Sequence, residues 1–184
     1  MASFDVAYRF MLANEDKTPP LYAEVPDAPP GAHAISGINS AKWPEQYKII
    51  ANIPQGNPDR ATLVEAFYRQ YFWENAPNGG SWYSQLTSDE VAKRVFDASV
   101  NMGSVAAVRC LQEAANLLAA LTVCAQVAED GRWGPATVAT ANDSTVTSLV
   151  AIFQDRRVAY YDALIAKHPS LAIYKAGWTA RALK

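Results

Sequence analysis

The sequence has little of the material from which metal sites and disulfide frameworks are built. Its 184 residues include two cysteines and two histidines. Cys110 and Cys124 fall within one apolar stretch of helical character, and no cluster has the spacing of a usual metal site. We therefore expect no metal ion and no other cofactor, and we interpret both cysteines as buried, reduced thiols.

Charged residues are scarce as well. They make up 18% of the chain, and the formal net charge is -2. Proteins that bind nucleic acid carry a basic patch or stripe on one face. The sequence shows no such patch, which argues against nucleic acid or another polyanion as a ligand.

Long hydrophobic runs are also missing. The most apolar segment, Val105 to Val127, is interrupted by four polar side chains: Arg109, Gln112, Glu113 and Asn116. It is therefore predicted to be a central, buried helix and not a membrane span. The N-terminus lacks a basic region followed by a long apolar run, so no secretory signal is recognised. We expect synthesis as a soluble cytoplasmic protein.

Apolar residues at helical spacing are abundant. Half of the chain is hydrophobic, enough for one sizeable core in a single domain over residues 1–184. The spacing from Phe4 onward predicts a first amphipathic helix that ends near Asn14 and Glu15. The same spacing predicts further helices over Asp59 to Trp73, with Asp59 as the cap, and over Ser88 to Asn101. Other helices are predicted over Val105 to Val127, Thr145 to Lys167 and Ala172 to Leu183. The predicted fold class is mainly α.

The segment from Lys17 to Pro58 has a different composition. It holds eight of the eleven prolines and shows no sustained periodicity. Such a segment is predicted to be a long, ordered loop region with a short hairpin or helical turn. A loop of this length inside a compact domain is usually functional.

Four stretches stand out along the chain: Tyr68 to Trp73, Phe96 to Ala114, Asp130 to Thr137 and Ala176 to Arg181. The second holds FDASVNMG followed by LQEA. In order and spacing the four stretches resemble glycoside hydrolase family 108, a group of phage-type endolysins and secretion-associated muramidases, and the second is similar to the family signature. The resemblance implies a lysozyme-like helical domain with a catalytic N-terminal part, 1–101, and a peptidoglycan-binding-type C-terminal part, 102–184. The Asp130 to Thr137 turn is interpreted mainly as scaffold.

The family opens with a helix whose EGGY motif carries the catalytic glutamate. Glu15 stands in that position, although Asp16, Lys17 and Thr18 follow it in place of two glycines and an aromatic residue. The resemblance implies that Glu15 is the general acid of a muramidase, which cleaves the β-1,4 bond between N-acetylmuramic acid and N-acetylglucosamine. The negative end of the helix dipole would favour the protonated acid. An arbitrary glutamate at a helix end is more commonly a solvated surface residue.

A second group must activate water or act as the nucleophile. Asp27 is the first candidate because it lies in the loop that would face Glu15, and Asp16 is the next. Either aspartate could equally stabilise a turn, which is the commoner role in a proline-rich loop. His33 and Ser36 could instead position the water.

Substrate contacts are expected from three aromatic rings and one amide. Trp43, Tyr71 and Trp73 offer flat faces that suit pyranose rings, although rings at helical spacing, such as Tyr71 and Trp73, are more often core residues. Asn101 could bind sugar or cap its helix. Asp97, one turn earlier, is expected to brace the site more than to bind sugar.

Two other functions are compatible with the sequence. A lytic transglycosylase also uses one glutamate, but it closes the muramyl 6-hydroxyl onto the anomeric carbon instead of admitting water. A non-catalytic peptidoglycan-binding protein would keep the fold and lose the site, and the departures from the family pattern after Glu15 and at 32–36 support it.

Bacterial peptidoglycan is the partner that the resemblance implies. A protein without a recognised signal would have to reach the cell wall, in the periplasm or outside, by release through another component. A holin, a secretion system or an immunity protein would each be a compatible partner.

Overall fold

The structure, a computed structural model, describes residues 1–16, 21–76, 81–122 and 125–184, and it is mainly α, as predicted. In these ranges the helices are α1 (Phe4–Glu15), α2 (Pro44–Ala51), α3 (Pro58–Tyr68), α4 (Asp89–Met102), α5 (Ser104–Thr122), α6 (Pro135–Asp143), α7 (Val146–Lys167) and α8 (Lys175–Ala182). The strands are β1 (Glu24–Asp27), β2 (Ala32–Ile35) and β3 (Ile38–Asn39). A π-helical turn, Arg69–Glu74, continues α3, and 3₁₀ turns at Tyr83–Gln85 and Pro169–Tyr174 precede α4 and α8.

The first predicted helix is confirmed as α1. Its apolar residues Phe4, Ala7 and Met11 are buried, and the helix packs along α4. The start of α4 is also as predicted, because the Ser88 hydroxyl accepts a hydrogen bond from the N–H of Val91 at 3.4 Å. These two helices place the end of α1 beside the middle of α4.

The predicted cap of α3 is wrong by two residues. The side chain of Asn57, and not Asp59, caps the helix, since its oxygen accepts a hydrogen bond from the N–H of Asp59 at 2.9 Å. Pro58 then occupies the first helical position, where the missing N–H costs no hydrogen bond.

The apolar helix α5 is shorter than predicted. It ends at Thr122, five residues before Val127. One face is buried, whereas Leu117 and Leu121 are exposed, so α5 contributes to the core without being enclosed all round. Cys110 is a buried thiol, as expected, and burial raises its pKa to about 12. Cys124 and the glycines at 79 and 80 lie outside the described residues.

The proline-rich segment contains both a sheet and a helix. Strands β1 and β2 pair antiparallel with Glu24 opposite Ile35 and Asp27 opposite Ala32, and β3 pairs with β2. The helix α2 follows, with Pro44 at its first position. The expectation of a short hairpin or helical turn therefore underestimated the regular structure of this segment.

Two stretches of the family resemblance contact each other. The side chain of Gln112 in α5 donates to the Asp130 carboxylate and to the Arg132 carbonyl oxygen, both at 3.0 Å, and accepts the N–H of Gly131 at 2.8 Å. Gly131 has φ +72°, and a Cβ there would lie 2.4 Å from the Val105 carbonyl oxygen. The turn is therefore fixed to α5, which agrees with a scaffold role, and it leads into α6, which was not predicted.

The buried apolar side chains form one continuous cluster that runs from α1 through α4 and α5 to α7. Within the described ranges, no helix is both long enough and apolar enough to cross a lipid bilayer.

Candidate active site

Glu15 is the last residue of α1, and three other segments enclose its carboxylate. Its Oε1 lies 2.7 Å from Nη2 of Arg181 in α8, and its side chain is 18% exposed. On the other side are Gly37, which precedes β3, and the hydroxyl of Tyr68 in α3. A Cβ on Gly37 would lie only 2.7 Å from Glu15 Oε2 and 2.9 Å from the Tyr68 hydroxyl oxygen. The carboxylate is thus tightly packed and still reaches solvent.

Arg181 is held by a second carboxylate, that of Asp97 in α4. Its Nε lies 3.0 and 3.2 Å from the two Asp97 oxygens, and its Nη2 lies 2.8 Å from Oδ1. Asp97 is completely buried and also contacts Nη2 of Arg157 in α7 at 3.1 Å. Asn14, next to Glu15, donates to Asp97 Oδ1 at 3.0 Å. Asp97 therefore braces the site, which is the role expected for it.

The four charged groups balance one another, with two carboxylates against two guanidinium groups. Burial by itself would lower the pKa of Arg181, but the charges of Asp97 and Glu15 outweigh burial and raise it, so Arg181 is always a cation. Arg181 therefore places a permanent positive charge 2.7 Å from Oε1 of Glu15. Its contacts to Asp97 do not involve Glu15.

The turn beside Glu15 is fixed by buried hydrogen bonds. The Tyr68 hydroxyl donates to the Ser36 carbonyl oxygen at 2.6 Å. Burial, with Glu15 nearby, raises the pKa of Tyr68 well above its usual value, so the hydroxyl remains a donor. The Ser36 hydroxyl donates to Asp16 at 2.6 Å, and the same Asp16 oxygen accepts the N–H of Tyr22 at 2.6 Å. Asp16 and Ser36 thus hold the turn in place.

Asp27 lies at the other end of the hairpin from this turn. Its Oδ1 accepts the N–H of Ala28 at 2.8 Å, and its Oδ2 accepts a hydrogen bond from the Asn39 amide at 2.7 Å. These contacts are those of a turn-stabilising aspartate. It lies three positions after Glu24 in β1, about 10 Å along the extended strand, and Glu24 pairs opposite Ile35.

His33 contacts the carboxylate of Glu24, a residue that the sequence analysis did not propose as a candidate. Its Nδ1 lies 2.8 Å from Oε1 of Glu24, and both side chains are about half exposed. A hydrogen bond from the Tyr47 hydroxyl, assisted by His33, holds the pKa of Glu24 below its usual value. Glu24 is therefore an exposed, ionised carboxylate at the end of the hairpin that leads into Ser36.

The three candidate aromatic residues lie in different environments. Trp43 and Tyr71 are partly buried and pack on each other with ring centroids 5.2 Å apart, and the Tyr71 hydroxyl accepts a hydrogen bond from Gln46 at 2.9 Å. Trp73 is 4% exposed and stacks on Tyr83 in the core. No face of Trp73 is open to a sugar, which agrees with the core role that its helical spacing suggested.

Asn101 is joined to α7 and not to the Glu15 cluster. Its side-chain oxygen accepts a hydrogen bond from the Tyr161 hydroxyl. It lies one turn beyond Asp97 and outside the contacts that enclose Glu15, so the structure gives it a bracing role between α4 and α7.

Sequence reasoning missed Arg181, Gly37 and Tyr68, which enclose Glu15. It also missed the Glu24 carboxylate, which pairs with His33. Arg181 and Tyr68 were noticed only as parts of family-like stretches. The available indication was Asp97, an acidic residue in the apolar face of α4, because a buried carboxylate requires a cationic partner. Nothing in the sequence specifies that this partner lies 84 residues further along the chain.

The comparisons with known proteins concern mainly the C-terminal part. A family model described as a predicted peptidoglycan domain matches residues 106–183, which include both arginines of the cluster. No curated protein matches the chain. Among solved structures, Brucella abortus SagA superposes with a TM-score of 0.65 at 18% identity, over 97% of this chain and 88% of that one.

The chain shares its fold with SagA, and its C-terminal part matches a predicted peptidoglycan domain. The predicted fold class is thereby confirmed, since the SagA likeness extends over nearly the whole chain. At this identity the likeness concerns the fold alone. The family model supports a peptidoglycan-related function and peptidoglycan as the partner.

Replacing Asp97 by asparagine should strongly destabilise the protein. Arg157 and Arg181 would then be buried without their shared carboxylate, and breaking a buried ion pair in this way costs about 3–5 kcal/mol. Urea unfolding measures the loss. As a matched control, Glu90→Gln removes a carboxylate that pairs with Lys93 and Arg94 but is 52% exposed, and about 1 kcal/mol or less is expected. Equal effects of the two substitutions would contradict the role given to Asp97.

Replacing Gly37 by alanine should displace Glu15. Gly37 and Gly31 have similar positive φ angles, +82° and +89°, but a Cβ at Gly31 meets nothing within 4 Å. Both alanine variants carry the cost of left-handed backbone, and only Gly37→Ala adds a clash, of about 1–3 kcal/mol. The difference between their unfolding free energies measures the close contact of position 37 with Glu15 and the Tyr68 hydroxyl. Two variants of equal stability would show that the carboxylate is not packed against Gly37.

Proposed function

We propose that the protein is a muramidase that cleaves the β-1,4 bond between N-acetylmuramic acid and N-acetylglucosamine, as its resemblance to glycoside hydrolase family 108 implies. The observation that carries the proposal is the Glu15 carboxylate, which is enclosed at the end of α1, paired with Arg181 and 18% exposed. Three other segments of the chain enclose this carboxylate, which is not expected for an isolated surface glutamate.

Glu15 acts as the general acid. It protonates the leaving oxygen as positive charge develops on the sugar ring. Proton transfer leaves a carboxylate behind, and Arg181, 2.7 Å from Oε1, stabilises that carboxylate. Asp97 keeps the guanidinium group in position throughout, since its contacts to Arg181 do not depend on the charge of Glu15.

Glu24, and not Asp27, is the carboxylate that activates water. Three observations support it: its position in the hairpin end that leads into Ser36, its exposure, and a pKa lowered by the Tyr47 hydroxyl. A base must be ionised before it can accept a proton from water. Asp27 instead has each of its oxygens engaged by the turn at Ala28 and Asn39.

The C-terminal part and the partly buried rings of Trp43 and Tyr71 hold the glycan strand. We also propose that the protein acts on the wall in the periplasm or outside the cell, after release through another component. The peptidoglycan domain match over 106–183 supports this substrate.

Replacing Glu15 by glutamine should abolish hydrolysis of purified sacculi. Loss of a general acid lowers the rate by about 10²–10⁴-fold. Loss of turbidity and release of reducing ends measure the rate. Glu65→Gln is the matched control, because Glu65 pairs with Arg69 in a 43% exposed ion pair and should retain full activity.

Three results would contradict the proposed chemistry. If Glu15→Gln clears sacculi as fast as the wild type, Glu15 is not the acid. If the wild type binds sacculi and releases no fragments, the protein is a binding protein. Anhydro-muramyl ends in the mass spectrum of the products would identify a lytic transglycosylase.

Substitution of the two hairpin carboxylates should separate their roles. Glu24→Gln is expected to lower kcat about 100-fold, because water loses its base. Asp27→Asn keeps one oxygen acceptor and should retain activity within about threefold, with a small loss of stability from the turn, of about 1 kcal/mol. Steady-state rates on soluble glycan oligomers measure both. A larger loss of kcat in Asp27→Asn than in Glu24→Gln would instead identify Asp27 as the base that activates water.

A further inference from the structure

A groove lies between α5 and α7, and no residue of the Glu15 cluster lines it. Its volume is about 460 Å³, and its lining includes small side chains such as Ala106, Ala159 and Ala163. Cavities of this size hold small ligands and short peptides. The groove falls within residues 106–183, the part that matches the peptidoglycan domain model.

Positive charge is concentrated in this groove. Arg109, Arg156 and Lys167 line it with one acidic residue, Glu113, which leaves an excess of two positive charges in a chain whose net charge is -2. Tyr160 adds an aromatic side chain between the cationic residues of α7. The local charge is thus opposite in sign to that of the whole protein.

The two cationic side chains of α7 that line the groove, Arg156 and Lys167, form no ion pair with any described residue. Within the same ranges, the buried Nε of Arg156 has no hydrogen-bond acceptor. Arg109 uses its Nε on the Glu129 carbonyl oxygen at 3.1 Å and has no carboxylate partner within the described ranges. The Nε atoms of Arg94 and Arg157 are also without an acceptor, but those two guanidinium groups pair with Glu90 and Asp97, whereas Arg156 has no carboxylate partner among the described residues. The groove therefore offers guanidinium and ammonium groups that an anionic ligand could pair with.

We propose that this groove binds the stem peptide of peptidoglycan through its free carboxylates. The proposal rests on the proposed function, because it takes peptidoglycan as the partner. Within peptidoglycan the glycan strand is largely uncharged, whereas the stem peptide carries carboxylate groups and alanine methyl groups. The arginines and Lys167 bind the carboxylates in charge-assisted hydrogen bonds, and the small alanine side chains of the groove let the peptide approach closely.

Two adjacent residues of α7 belong to the groove and to the Glu15 cluster. Arg157 points to Asp97, while Arg156 lines the groove. Binding of the stem peptide therefore fixes α7, the helix that also supports the acid, and sets the glycan strand at a constant distance from it.

The test is a titration of the full chain carrying Glu15→Gln with a free tetrapeptide, L-alanyl-γ-D-glutamyl-meso-diaminopimelyl-D-alanine, by calorimetry. Arg156→Gln and Lys167→Gln, each added to this background, are expected to weaken binding about tenfold, which corresponds to about 1.4 kcal/mol. Lys175→Gln is the matched control, since Lys175 pairs with Asp162 at 2.8 Å and does not line the groove. It should bind within twofold of the parent.

A second arm leaves the protein unchanged and alters the peptide. The same tetrapeptide with its carboxylates amidated should bind at least tenfold more weakly, and this comparison stands even if a groove variant fails to fold. Equal binding of the two peptides, or equal affinities of the groove variants and the control, would overturn the proposal. So would binding of poly(glycerol phosphate) without binding of the tetrapeptide.

The groove and the proposed activity can fail separately. If the protein binds the tetrapeptide but never clears sacculi, the proposal for the groove stands and the proposed muramidase activity is contradicted. If the protein clears sacculi but does not bind the tetrapeptide, the proposal for the groove is contradicted and the muramidase activity stands.

Discussion

A carboxylate with no access to water must be surrounded by positive charge, and Asp97 meets this requirement with two guanidinium groups from distant parts of the chain. Arg157 comes from α7 and Arg181 from α8, while Asn14 adds the end of α1. The interaction thus joins four helices at one point. Apolar packing alone would allow α1 and α8 to shift, but the directional contacts to one carboxylate fix where both helices stand.

The candidate site inherits its geometry from this cluster. Arg181 contacts Asp97 through Nε and Nη2 and also contacts Glu15 through the same Nη2, so Asp97 fixes the guanidinium group that pairs with Glu15. On the opposite side, the absence of a side chain at Gly37 leaves room for the Glu15 carboxylate. The position of Glu15 is therefore set by a buried ion pair on one side and by close backbone approach on the other.

Long elements could be predicted from the sequence, as α1, α4 and α7 show, and in α1 and α4 an amphipathic pattern supports the prediction. The short ones could not: β1 is exposed at all four positions and has no alternation, and α6 consists largely of small residues with a weak apolar face. Glu15 was found because a helix end and a family position coincide. Arg181 and Glu24 were missed, since their roles arise from contacts between segments that no local pattern records.

The same cluster bears on whether the chain can be divided. A cut between α4 and α5 would leave Glu15 and Asp97 on one fragment and Arg157 and Arg181 on the other. Each fragment would expose two like charges on a surface that is buried in the intact chain. The charges of one fragment would be opposite in sign to those of the other. The region matched by the peptidoglycan domain model thus supplies the two guanidinium groups of the buried ion cluster. Two co-expressed fragments are therefore expected to reassemble.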